Sequence, residues 1–185
     1  FDAYAAFGQL NTSKFDSEDA AFGGLGYDFG AAKLNAAYFN FAGLDKNNYK
    51  FDSIWGANLV VPVQDFSVFG EYWDSNADKN DSAYQAGLGY STLDASKPGT
   101  FALNVAYNKV GTDAYLGGTT YDASDFFSAI ADGDIADGKD LKFWNVFGDV
   151  VLQKNVTLHG EYAWDIKNAN GYDDNAWTVS LNYAF

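Results

Sequence analysis

The chain has 185 residues and a formal net charge of −14, with 25 acidic residues against 11 basic ones, all lysine. This charge excludes nucleic acid as a partner, because nucleic-acid binding needs basic surfaces, and it favours the attraction of cations. The absence of cysteine excludes disulfides and thiolate metal ligands. No stretch approaches the ~20 consecutive apolar residues of a membrane-spanning helix, although 18% of the residues are aromatic. The length suits one domain spanning 1–185.

Ten stretches alternate apolar or aromatic residues with small, polar or charged ones, which is the pattern of half-buried strands. The clearest is the ninth, where Val156, Leu158, Tyr162 and Trp164 alternate with polar neighbours. About ten residues at ~3.3 Å each, tilted by roughly 40°, rise ~25 Å, the height of an outer-membrane apolar band. The predicted strands are 1–10, 19–29, 31–41, 49–63, 65–73, 82–92, 100–110, 141–152, 155–166 and 176–185.

The connections between these strands alternate in length. Short links lie near 29–30, 62–65, 95–99 and 153–155, and long polar ones at 11–18, 42–48, 74–81, 111–140 and 167–175. Outer-membrane barrels have short periplasmic turns and long external loops. The pattern therefore predicts an all-β protein, a transmembrane antiparallel up-and-down β-barrel of about ten strands with both termini in the periplasm.

Five acidic residues within the strands, Asp2, Asp52, Glu71, Asp149 and Glu161, all fall on one side of the alternation. We assign this side to the barrel lumen because a charge facing lipid is costly. Glycine and alanine fill many gaps between them and leave volume, which favours a water-filled path. The alternative is a buried polar network that fills the barrel. Phe22, Phe39, Phe69, Phe143 and Phe147 share the lumen side, beneath an inward-folded loop or beside a bulge. The predicted pore-lining residues are Asp2, Lys33, Lys50, Asp52, Glu71, Asn104, Asn145, Asp149, His159 and Glu161.

The long loop 111–140 contains the segment "SDFFSAIADG", which predicts a short helix capped by Ser124 or Asp125 and ended by Gly133. This loop either folds into the mouth of the barrel and narrows it or rests outside as a lid, and the sequence leaves both open. The segment Asp74–Asp81 imitates the start of a calcium loop but lacks its glycine and its glutamate. We therefore predict no metal site and no cofactor.

His159 and Glu161 have a spacing that suits an acid–base pair, but the pair lies close to the predicted periplasmic turn at 154–155. Proteases among ten-stranded outer-membrane barrels carry such residues near the outer rim. Neither a serine motif nor a second histidine accompanies the pair. We therefore predict no catalytic residue and no enzymatic activity.

The last predicted strand reads W-T-V-S-L-N-Y-A-F and carries only apolar residues on one face. It resembles the C-terminal strand of bacterial outer-membrane β-barrels, whose terminal phenylalanine is read by the barrel assembly machinery. The resemblance implies location in the outer membrane, with its lipid and that machinery as partners. The residues matching the assembly signal are Trp177, Val179, Leu181, Tyr183 and Phe185.

The segment Lys142–Tyr162, "KFWNVFGDVVLQKNVTLHGEY", and the terminal "LNYAF" resemble the porin domain of S-layer-homology-domain outer-membrane proteins of diderm Firmicutes. The resemblance implies a channel for passive diffusion of small hydrophilic solutes, and the acidic residues predict a preference for cations. The resemblance is also compatible with assembly of three chains into a homotrimer. The alternative function is a non-conducting structural or adhesion barrel that displays acidic loops.

The chain departs from that family in two respects. It contains no S-layer-homology domain, and the family's barrels have more than ten strands. The chain also begins at Phe1 and contains no methionine, which predicts a processed or trimmed product. The alternative fold is therefore the C-terminal part of a larger porin barrel.

Overall fold

The computed structural model describes residues 1–11, 16–42, 50–114, 140–167 and 175–184. Ten strands alternate with connections along the chain. They are β1 (Asp2–Asn11), β2 (Asp16–Asp28), β3 (Lys33–Ala42), β4 (Ser53–Val63), β5 (Phe66–Ser75), β6 (Ser82–Tyr90), β7 (Phe101–Val110), β8 (Leu141–Gln153), β9 (Val156–Lys167) and β10 (Ala176–Tyr183). A single-turn 3₁₀ helix, Thr112–Ala114, follows β7.

The ten strands form one antiparallel sheet in which each strand pairs with its neighbours in the chain. The predicted all-β, up-and-down arrangement of ten strands is therefore confirmed. Two connections are only two residues long, at 64–65 and 154–155. Their tight geometry requires positive φ angles at Gln64 (58°) and Asn155 (61°), which an asparagine tolerates well.

The sheet is open, which differs from the predicted closed barrel. In the described residues β1 pairs only with β2, and β10 only with β9, so both are edge strands. Closure of an up-and-down barrel needs a further ladder between its first and last strands. At the two edges Phe7 is 91% exposed and Trp177 is 71% exposed.

Strand β4 begins at Ser53, four residues later than predicted, so Lys50 and Asp52 precede the strand. The cause is the side chain of Asn76, whose oxygen accepts hydrogen bonds from the backbone N–H groups of Asp52 (3.0 Å) and Ser53 (3.1 Å). These N–H groups are therefore satisfied by a loop and not by a strand ladder. The helix predicted between Ser124 and Gly133, and Phe185, lie outside the described residues.

The two faces of the sheet differ in burial. On the inner face an apolar cluster lies near the end with the long connections, and its members include Phe41, Ile54, Trp73, Leu141 and Phe143. The residues that alternate with these, such as Trp55, Tyr72 and Trp144, are exposed on the outer face. In the described part of the chain no helix is long and apolar enough to cross a membrane.

Candidate functional site in the inner face of the sheet

A row of polar side chains crosses the inner face below the apolar cluster. Strand register aligns Asn35 with Asn58, Asn58 with Glu71, and Glu71 with Gln85. Directly opposed residues of neighbouring strands are close enough for their side chains to interact. Asn35 Nδ2 donates a 3.0 Å hydrogen bond to Asn58 Oδ1, and Trp73 Nε1 donates to Glu71 Oε1. The register thus brings separate polar positions of β3–β6 into one line.

The row continues as an unbroken chain of hydrogen bonds through β6–β9. Gln85 Nε2 donates to Asn108 Oδ1 (2.9 Å), and Asn108 Nδ2 donates to Asn145 Oδ1 (2.9 Å). Asn145 Nδ2 then donates to Glu161 Oε1 at 2.7 Å. Asn108 and Asn145 are completely buried and Glu161 is 5% exposed. A buried carboxylate and amides in this setting are tolerated because each is hydrogen-bonded.

The apolar cluster above this row involves two of the five phenylalanines that were predicted on the lumen side. Phe143 is fully buried, and Phe39 packs against the cluster 6.0 Å from the ring of Trp73. Part of the inner face is therefore filled with apolar side chains near the long connections. The polar groups lie between this cluster and the short turns.

The predicted pore-lining residues fall into three settings. Asn145 and Glu161 are buried in the hydrogen-bonded chain. Lys50 and Asp52 lie among the long connections, where Lys50 Nζ is 3.5 Å from Asp113 Oδ2 and Asp52 accepts from Asn76 Nδ2 at 2.7 Å. The others lie on strands of the inner face: Asp2, Lys33, Glu71, Asn104, Asp149 and His159.

Asp149 and His159 form a pair near the short turns. Register aligns them across β8 and β9, and His159 Nδ1 lies 3.0 Å from Asp149 Oδ1. Both side chains are partly exposed, His159 at 16% and Asp149 at 29%. Glu161, whose spacing from His159 suits an acid–base pair, accepts a hydrogen bond from Asn145 Nδ2.

The outer face carries a row of aromatic rings near the long connections, in which register places Tyr72 opposite Tyr84. Trp55 and Tyr72 have ring centroids 5.6 Å apart, and Tyr84 and Tyr107 are 6.2 Å apart. The row continues through Trp144, 5.2 Å from Tyr107, to Trp164 and Tyr162. Amphipathic rings of tyrosine and tryptophan suit a boundary between apolar and aqueous surroundings.

A second aromatic row lies on the outer face near the short turns. Phe66 and Tyr90 have centroids 4.9 Å apart, and Tyr90 lies 5.8 Å from Phe101. Between the two rows the exposed outer side chains are aliphatic, including Leu59, Val68, Leu88, Leu103 and Val179. The outer face is therefore an aliphatic band bounded by aromatic rows.

The connection between β6 and β7 is stabilised by Asp94. Hydrogen bonds from the Ser96 hydroxyl (2.6 Å) and from Lys97 hold the pKa of Asp94 at about 2, with help from the Ser96 backbone N–H. The same Asp94 carboxylate raises the pKa of Lys97. This turn therefore keeps its ion pair over most of the pH range.

Sequence comparison adds no relative for this chain. No protein-family model matches it, and no curated protein does. Among the described residues, no group of three or more histidine, cysteine, aspartate or glutamate side chains could hold a metal ion.

Sequence reasoning did not identify the role of Trp73. Its indole covers Gly56 on the neighbouring strand, where an added Cβ would lie 2.2 Å from the ring. The sequence shows an aromatic residue on one strand and a glycine on the neighbouring strand. Only the strand register shows that the two residues lie opposite each other.

Proposed function

We propose that this sheet is part of the wall of an outer-membrane channel for the passive diffusion of small hydrophilic solutes. The observation that carries the proposal is the exposed aliphatic band of the outer face between two aromatic rows. An exposed apolar surface of this extent is unfavourable in water. It matches the hydrocarbon core of a bilayer, with the aromatic rows at the two lipid–water interfaces.

The spacing of the aromatic rows supports this proposal. Phe66 and Tyr72 are six positions apart, as are Tyr84 and Tyr90, and Phe101 and Tyr107. Six residues span about 20 Å along a strand. At a tilt of roughly 40° this is a rise of about 15 Å, so on each of these three strands the two rings lie within a ~25 Å apolar band and flank the aliphatic residues between them.

The open edges of the sheet must be paired in a membrane, because unpaired backbone groups cannot face lipid. Either β1 pairs with β10 in a ten-stranded barrel, or further strands lie between them in a larger porin barrel. The chain has no cysteine, so one cysteine introduced into each edge strand can be cross-linked selectively. A disulfide from some pair of edge positions in folded monomers would support the ten-stranded barrel, and its absence over a full scan would support the larger one.

The inner face supports a preference for cations. Its strands carry Asp2, Glu71, Asp149 and Glu161 against Lys33, and Lys33 Nζ lies 3.9 Å from Asp28. Excess carboxylates along a pore raise the local concentration of cations. No metal, cofactor or catalytic residue is part of the proposal, and outer-membrane lipid and the barrel assembly machinery are the proposed partners.

A second candidate function is a non-conducting outer-membrane barrel with a structural or adhesive role. The apolar cluster around Leu141 and Phe143 favours it, because these fully buried side chains fill part of the inner face. A hydrophobic plug at the loop end would stop ions.

Recordings in planar bilayers separate the two candidates. Protein folded in detergent, with its β-structure verified by circular dichroism, should give stepwise conductance in KCl. A folded preparation that inserts without any conductance would refute the channel and support the structural barrel. Chemical cross-linking of the same preparation would test for a homotrimer.

A further inference from the structure

The inner face of β1–β5 contains a cavity of about 320 Å³. Its floor follows a row of residues that lie opposite one another on adjacent strands: Tyr4, Gly24 beneath the Tyr4 ring, Ala37, Gly56 and Trp73. The aromatic residues stand at the two ends and the three small residues lie between them. Ligand sites commonly have volumes of about 300–1,000 Å³, so this cavity suits a small ligand with a single ring.

The two aromatic rings lie over the glycines of this floor. A Cβ on Gly24 would lie 2.6 Å from the Tyr4 ring, and one on Gly56 would lie 2.2 Å from the Trp73 indole. Real Cβ atoms do not approach other atoms so closely, so both rings require glycine beneath them. Tyr4 remains 54% exposed although it is on the inner face. Its exposed ring face is available to a ligand.

The walls of the cavity differ in polarity. Phe39 lies on one side, 6.0 Å from Trp73, and Asp2, Asn35 and Asn58 line the other. Asn35 and Asn58 are joined by their 3.0 Å hydrogen bond, which holds both amides at the wall. An amide side chain both donates and accepts hydrogen bonds, as a sugar hydroxyl does.

We propose that this cavity binds one neutral pyranose sugar, with a C–H face of the ring against Tyr4 and its hydroxyls on Asn35, Asn58 and Asp2. An aromatic ring has a negative face, which attracts the weakly positive C–H groups of a pyranose. Asp2 in the cavity and Glu71 beside Trp73 disfavour an anionic ligand. The inference rests on the proposed channel, of which the sugar is one solute, and binding is weak because a solute must also leave.

The test uses the full chain folded in detergent micelles and saturation-transfer NMR with glucose as the probe. We expect saturable glucose binding and weaker binding of glucuronate, which is anionic. Tyr4→Ala should weaken glucose binding about tenfold. Ala37→Leu should abolish it while keeping both rings, because the larger side chain occupies the floor between them. The matched control is Tyr38→Ala, beside Ala37 but on the outer face, which should bind glucose normally.

Conductance of the same preparations in KCl distinguishes this inference from the proposed channel. Conducting protein that shows no saturable glucose binding overturns the sugar site and leaves the channel. The sugar site is also overturned if Tyr4→Ala and Ala37→Leu, both folded by circular dichroism, bind glucose as the unchanged chain does. Folded protein that conducts no KCl overturns the channel.

Discussion

Asn108 donates a 2.9 Å amide hydrogen bond to Asn145 on the next strand, and neither side chain is exposed to solvent. The bond is the centre of a chain that begins at Gln85 and ends at Glu161. Each middle amide donates one bond and accepts another, so the four side chains fix each other's orientation. The chain lies beneath the apolar cluster, where a lost partner is costly.

Replacing Asn145 by Ala should lower the free energy of unfolding by about 1–3 kcal/mol, because Asn108 loses an acceptor and Glu161 loses a donor in a buried site. Urea unfolding of detergent-folded protein measures the difference. Asn182→Ala is the control, because that side chain is exposed and its hydrogen bond to Ser180 is long, at 3.5 Å. Equal stability of the two variants would contradict a structural role for the buried chain.

Much of the fold follows from the sequence, because strand alternation and connection length are local signals. The boundary of β4 was predicted wrongly because the hydrogen bonds of Asn76 to Asp52 and Ser53 come from residues more than 20 positions away. Closure of the sheet also depends on a non-local pairing between edges. No side-chain pattern within β1 or β10 specifies which strand lies beside each.

The inner face was predicted in part. The alternation identified Asn145, Asp149, His159 and Glu161 as inward residues, but their partners depend on register. Register places Asp149 opposite His159, 3.0 Å from its ring, although the two residues are ten positions apart in sequence. The packing of Tyr4 and Trp73 over glycines likewise depends on which residue lies opposite each ring on the neighbouring strand.

The turn between β6 and β7 should lose stability between about pH 4 and pH 2. The pKa of Asp94 is lowered to about 2 in the folded chain, so its ionised form stabilises the turn above the unfolded value of about 3.9. That contribution disappears as pH falls through 2. Asp94→Asn should remove this part of the pH dependence, which NMR of the Ser96 and Lys97 amides would detect. An Asp94 carboxyl titrating near 4 would contradict the prediction.

The outer face of β10 should tolerate no charge if the band faces lipid. Val179→Lys puts a cation within the aliphatic band and should destabilise the folded protein in a bilayer by about 2–4 kcal/mol. Ser180→Lys is the matched control on the next residue, whose side chain faces inward and should have a much smaller effect. Folding yields in lipid vesicles, read from heat-dependent migration on gels, compare the two. Similar yields would contradict the assignment of the lipid-facing side.

Cation selectivity should depend on carboxylates that ions can approach. Asp2 lines an open cavity, whereas Glu161 is 5% exposed and bonded to Asn145. We therefore expect Asp2→Asn to reduce the ratio of cation to anion permeability more than Glu161→Gln does. Reversal potentials across a KCl gradient measure this ratio.

Salt concentration provides a further check on this prediction. Charges in the exposed connections are screened within about 10 Å at 0.1 M salt, so their contribution to selectivity should fall as the electrolyte is concentrated. The contribution of Asp2 to selectivity should persist to higher salt concentrations, because Asp2 lies within the sheet and is less screened. Asp94→Asn is the control, because Asp94 is paired with Lys97 at the short-turn end and its neutralisation should change selectivity little. An anion-selective channel would contradict the proposed preference, and an effect of Glu161→Gln larger than that of Asp2→Asn would show that ions pass beside the buried chain instead.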